Sequence, residues 1–253
     1  MKPAMMLATG LLVAGTLLPG SLSFARPAHG EVVPVPQSPA LEVRAAQVRY
    51  LEELELLVFE QQLGDDVARA VPQPAGQLDG APVLGYVFPT TLSSADIGFG
   101  DAVGTVALAV TSHPDFDDTP LWDENNDADY ANDGVVWHPH WVLLAADGRV
   151  PGGLSVVEFD ADDETVVMPP TNPGMAIYLD SPGFAVVSDG RTLRVLVPAQ
   201  RVGYQTDFSF DAVTAYMEVN TSDTARPTLG VYEVYSVRSG DLSLPYRVQH
   251  DLP

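Results

Sequence analysis

The sequence predicts a mainly β protein, an antiparallel β-sandwich or jelly roll preceded by one amphipathic N-terminal helix. Short apolar runs recur after residue 82, separated by Gly, Pro, Asp and Asn. β-Branched and aromatic residues are frequent within them, and turn sequences such as Ser188-Asp189-Gly190-Arg191 suit hairpins. Of the 253 residues 46% are hydrophobic and 18% charged, which supplies the material for a sizeable core and excludes disorder of the whole chain.

Taken in order, residues 1–25 read as a secretory signal, with Lys2 in a positive n-region, an apolar stretch from Met5 to Leu18, and Ser23-Phe24-Ala25 as a small-x-small cleavage site. That stretch is short of the ~20 residues a bilayer requires. The expected product is exported, periplasmic or extracellular, with no membrane span after cleavage. Residues 26–38 form a Pro-rich leader. Ser38 can cap a helix with Pro39 at its first position. Leu41, Ala45, Val48, Leu51, Leu54 and Val58 then recur at steps of three or four up to Gly64. The expected amphipathic helix, 39–64, packs on the main domain or joins a second chain in a homo-oligomer.

Residues 65–82 read as a linker and 83–253 as the β domain. Its expected strands are Val83–Phe88, Gly104–Ser112, Val135–Ala145, Leu154–Phe159 and Met175–Leu179, then Phe184–Ser188, Thr192–Val197, Tyr204–Phe210, Val213–Val219 and Leu229–Val237.

With 34 acidic against 12 basic residues the formal charge is -22, which argues against a nucleic-acid partner and leaves metal ions, neutral molecules, or a protein or glycan. Cysteine is absent, so disulfides, thiolate zinc sites and thiol nucleophiles are excluded.

Eight acids and no basic residue lie between Asp115 and Asp133. Asp123, Asn125, Asp127 and Asp129 occupy alternate positions, followed by Asn132, Asp133 and Gly134. This spacing resembles the calcium loops of EF-hands, dockerins and thrombospondin-type repeats, in which oxygens at alternate positions converge on one ion. The resemblance implies a structural calcium held by Asp123, Asn125, Asp127, Asp129 and Asp133. Ala128 takes the place of the turn glycine, and the bidentate carboxylate position falls on Gly134, which leaves Asp133, Asp115 or Asp118 as substitutes.

Three of the five histidines flank that loop: His113 before it, His138 and His140 after it. In an extended Val135–Ala145, alternation puts Val136, His138, His140, Val142 and Leu144 on one face, and Val135, Trp137, Pro139, Trp141 and Leu143 on the other. His-x-His on a strand offers two nitrogen donors to one ion, and pairing of the two strands beside the loop would bring in His113. Zinc or copper suits such imidazoles, and iron or manganese becomes eligible if Asp115 or Glu158 joins. His138-Pro139-His140-Trp141 resembles the metal-binding strand of α-type carbonic anhydrases, and His-x-His recurs in cupins. The similarity covers four residues, and the third histidine of the former and the glutamate of the latter are not at their expected places. The alternative use of the pair is hydrogen bonding to loop carboxylates.

Trp122, Trp137, Trp141 and Tyr130 form either a ligand platform or core. The functional expectation is an exported acidic metal-binding β protein, with a non-catalytic extracellular interaction or glycan-binding module as the alternative and a metal-dependent enzyme as the third reading.

Overall fold

A computed structural model describes residues 34–119 and 121–251. The signal-type segment and most of the Pro-rich leader lie outside the described residues. The strands are β1 (Val43–Leu51), β2 (Leu56–Leu63), β3 (Pro82–Pro89), β4 (Thr105–Ser112), β5 (His138–Ala146), β6 (Leu154–Val156) and β7 (Leu179–Asp180). They continue as β8 (Ala185–Asp189), β9 (Thr192–Pro198), β10 (Ser209–Phe210), β11 (Val213–Val219), β12 (Leu229–Val237), β13 (Tyr246–Arg247) and β14 (Gln249–Asp251).

The fold is mainly β, as expected, but its centre is a closed antiparallel barrel rather than a sandwich or jelly roll. Strands β3, β4, β5, β6, β12 and β11 follow one another round the barrel, and β11 returns to β3. Sandwich and barrel share the same local strand signals. What decides between them is closure: β3 pairs with both β4 and β11 while β4 also pairs with β5, so the sheet returns on itself. A second sheet, ordered β14-β1-β2-β9-β8, covers one side of the barrel.

Two apolar cores follow from strand alternation. On β3, Val83 and Val87 point into the barrel, whereas Leu84, Tyr86 and Phe88 point out toward the second sheet. There they meet Val48, Leu57, Phe59, Leu193 and Val195, with Phe59 edge-on to Phe88 and to Trp141 at centroid distances of 5.3 and 6.2 Å. Burial on both faces explains why these strands read as nearly continuous apolar runs. β5 obeys the same rule: Val142 and Leu144 face the barrel interior, Trp141 and Leu143 the outer core.

The helix expected over 39–64 is not formed. A 3₁₀ turn at Pro39–Leu41 leads into β1, and a second turn with Glu55 at φ 48° reverses the chain into β2. The apolar positions satisfied a helical period, but Val43, Val48, Tyr50, Val58 and Phe59 are β-branched or aromatic, and pairing of β2 with β9 rewards the extended form. Gly64 is no helix stop. A Cβ there would lie 2.5 Å from the Pro39 carbonyl oxygen, so glycine lets the two segments cross. Without a helix, the proposed homo-oligomer contact loses its carrier. Residues 65–82 include a turn at Val67–Ala70 whose end residues are buried in the outer core.

Several strands are shorter than expected. Val135 lies in a 3₁₀ turn, and the strand forecast over Tyr204–Phe210 is confined to Ser209–Phe210. Among the described residues no helix is long and apolar enough to cross a membrane.

Candidate metal centre

β4 and β5 run antiparallel with Thr111 opposite His138 and Ala109 opposite His140. His113 directly follows β4, so its ring arrives beside that of His138. Pro139, which has no N–H to donate, stands where β5 pairs with β4 alone; pairing with β7 begins at Trp141. The inner-face position of His138 and His140 is therefore a product of strand alternation, and the loop between the strands brings in a fourth group, Asp118.

His138 Nε2 lies 2.9 Å from His113 Nε2. Asp118 Oδ1 is 3.2 Å from His113 Nε2, 3.2 Å from His138 Nε2 and 3.4 Å from His140 Nε2. All four residues are buried and their donor atoms lie within 4.8 Å of one another. Two donors bonded at 2.0–2.1 Å to one tetrahedral ion are about 3.3 Å apart, so the Asp118 separations are those of ligands sharing an ion.

The outer nitrogen of each ring is held by an acceptor. His113 Nδ1 faces the Phe116 carbonyl at 3.0 Å, and His138 Nδ1 faces the Val136 carbonyl at 2.6 Å. His140 Nδ1 meets Ser181 Oγ at 3.1 Å, and that hydroxyl donates to the Asp118 carbonyl at 2.7 Å. Donation from Nδ1 turns the Nε2 lone pairs toward the centre, the arrangement that orients metal-binding imidazoles. His140 Nε2 and Asp118 Oδ1 are buried without a hydrogen-bond partner. Lone pairs and a carboxylate sealed from water require a positive charge among them.

Without a metal that charge is a proton. Burial opposes ionisation of Asp118, but the imidazoles around it outweigh that and hold the carboxyl well below its usual range. Burial likewise opposes a charged His138, yet Asp118 prevails and raises it. At His140 burial dominates and lowers the pKa to about 3. Between these two rings His138 is thus the one on which positive charge beside Asp118 is favoured, and a bound cation would replace that charge. The cluster could hold a transition metal such as zinc.

Neighbouring residues fix the geometry. The His113 ring stacks on Phe116 at 4.0 Å, and the His113 amide donates to the Gly134 carbonyl at 2.7 Å. Trp122 rests on Gly183, where a Cβ would come within 2.0 Å of the indole, and Trp122 Nε1 donates to the Ser181 carbonyl at 3.0 Å. The loop is thus pinned next to the serine that orients His140. Asp118, Ser181 and Gly134 were not singled out for this site from the sequence. The eight loop acids are equivalent without the loop's path, and Ser181 lies 41 residues beyond His140.

The acidic residues proposed for calcium have other partners. Asp123 accepts from the amides of Asp127 and Ala128, Asp127 from the amide of Asp129 and the side chain of Asn132, and Asp129 from the amide of Ala131. Asn125 donates to the Asn132 side chain. Asp133 is buried and accepts from the amides of Glu124 and Asn125. Among the described residues, the His113–Asp118–His138–His140 cluster is the one convergence of three or more His, Asp or Glu donors, and Asp123, Asp127, Asp129 and Asp133 lie outside it. Asp115 instead accepts from the amides of Ala75 and Gly76, and Glu158 pairs with Arg149. Trp141 is core, Trp137 packs on Tyr86 and Tyr130 is exposed.

Comparison with protein families, with curated proteins and with solved structures finds no match.

Proposed function

We propose that this chain is an exported metal-binding protein whose barrel carries one divalent transition-metal ion, zinc being the first candidate, on His113, Asp118, His138 and His140. The observation that carries the reading is the convergence of three imidazole nitrogens on one buried carboxylate oxygen, with His140 Nε2 and Asp118 Oδ1 lacking hydrogen-bond partners. Three nitrogens and one oxygen suit zinc and also admit iron or manganese. Export rests on Lys2, the apolar Met5–Leu18 stretch and Ser23-Phe24-Ala25.

The acidic loop serves this centre as a scaffold that delivers Asp118. A calcium ion on Asp123, Asn125, Asp127, Asp129 and Asp133 has less support, because main-chain amides already occupy several of those carboxylates. Titration of the apoprotein with zinc and copper tests the reading. One equivalent should bind tightly to the original protein, and His138→Ala and His140→Ala should each weaken it at least tenfold. Equal affinity in all three proteins would refute the centre.

A further inference from the structure

Beside the cluster the barrel interior is not filled. A cavity of about 160 Å³ has apolar walls that include Val83, Val87, Val213, Ala215 and Met217. Among the described residues, its titratable lining groups are His113, Asp118 and His140. Small residues leave the space: Ala215 and Ala109, the latter opposite His140, both line it. Larger side chains at these inward positions would close the barrel, as small barrels are ordinarily filled.

The two ends of the cavity differ. At one, β4 ends and β5 begins, placing the cluster and its unpartnered His140 Nε2 and Asp118 Oδ1. At the other, after β12, Leu242 and Leu244 line the space with backbone φ of 58° and 53°. That left-handed conformation is unfavourable for leucine and persists only where the surroundings impose it, as ligand clamps do.

We propose that the cavity binds a small apolar molecule of about the size of a substituted benzene ring, carrying one oxygen donor directed at the metal centre, a phenol being the type. The volume is close to the roughly 150 Å³ apolar cavity that stays dry and takes up benzene. Apart from Thr105, Thr111 and the cluster the walls are apolar, so a polar body would lose most of its hydration without replacement. One oxygen at the cluster end would meet the ion, because a tetrahedral zinc-type site can expand to a fifth ligand. The oxygen's partner rests on the metal reading above; the apolar body rests on the cavity alone.

The test is titration of the full-length protein, metal-free and cobalt-loaded, with phenol and with benzene, followed by thermal melting and the visible cobalt spectrum. Both probes should raise the melting temperature. Only phenol should change the spectrum, and it should bind the cobalt form at least tenfold more tightly than benzene. Ala215→Leu and Val83→Phe should weaken both probes at least tenfold while leaving one cobalt per chain. Cobalt uptake with neither probe bound, or unchanged phenol binding in both variants, would overturn the cavity proposal and leave the metal centre standing. Failure to take up cobalt, with phenol and benzene bound equally, would overturn the metal reading and the directed oxygen together.

Discussion

Gly134 lies against His113 with no room for a side chain: a Cβ on Gly134 would stand 2.5 Å from the His113 carbonyl oxygen and 2.9 Å from its Nδ1. The same atom would be 1.9 Å from the Phe116 carbonyl oxygen that holds the His113 ring. The obstruction is therefore main chain, which cannot swing aside as a flexible side chain would.

Gly134→Ala should accordingly destabilise the protein by about 1 to 3 kcal/mol, as overpacking does, and weaken zinc binding by displacing His113. Denaturant unfolding and zinc titration measure the two effects. Wild-type stability and affinity in this variant would show that the loop tolerates the shift.

Ser181→Ala removes the acceptor for His140 Nδ1 and the hydroxyl donated to the Asp118 carbonyl. Loss of an outer partner of a metal-binding histidine ordinarily costs ten- to a hundred-fold in affinity. A competition titration against a zinc chelator should read a loss of about that size, with copper or cobalt behaving alike. Retained affinity would remove Ser181 from the positioning of His140.

Zinc should raise the melting temperature by more than calcium does. At a hundred times its dissociation constant a ligand bound only by the folded state contributes about 2.7 kcal/mol, or roughly 5 to 10 °C for a domain of this size. The Asp123, Asp127 and Asp129 carboxylates already accept main-chain amides, so a smaller gain is expected from calcium. A calcium-dependent shift as large as that of zinc, abolished by Asp123→Ala with Asp127→Ala, would restore the calcium loop.

Acidity should act on the centre in two ways. In the metal-free fold His138 is raised, so its proton competes with zinc to a higher pH than an ordinary imidazole near ~6.5 would, and affinity should fall as pH drops through that range. His140 is depressed to about 3, so between about 6.5 and 3 the unfolded chain binds a proton there that the folded chain does not. This term lowers stability as pH falls. His138 acts oppositely: its contribution is complete below ~6.5 and is lost as pH rises through its raised value. Chemical denaturation of the metal-free protein across pH should show the acid-side loss diminished in His140→Asn. An identical acid slope in that variant would contradict the assignment.

The parts visible in the sequence were those with local periodicity. His138 and His140 share a face because a strand repeats every two residues, and Trp141 and Leu143 are buried opposite them for the same reason. His113 could be connected to them because the segments on either side of one loop commonly pair. The β1–β2 hairpin was hidden because its apolar spacing also fits a helix, and the deciding partners, β9 and β14, lie more than a hundred residues away in sequence. Barrel closure needs β11 to return to β3, more than a hundred residues earlier, the selection of Asp118 among the loop acids depends on the loop's path, and Ser181 reaches His140 from 41 residues further on; residue spacing encodes none of these.

X-ray absorption at the zinc edge of the zinc-loaded full-length protein tests the central claim most directly. One zinc per chain is expected, with four nitrogen or oxygen ligands at about 2.0–2.1 Å, the outer-shell pattern of three imidazoles, and loss of one imidazole in His140→Ala. Zinc surrounded only by oxygen ligands without imidazole scattering, or no zinc retained after dialysis, would contradict it.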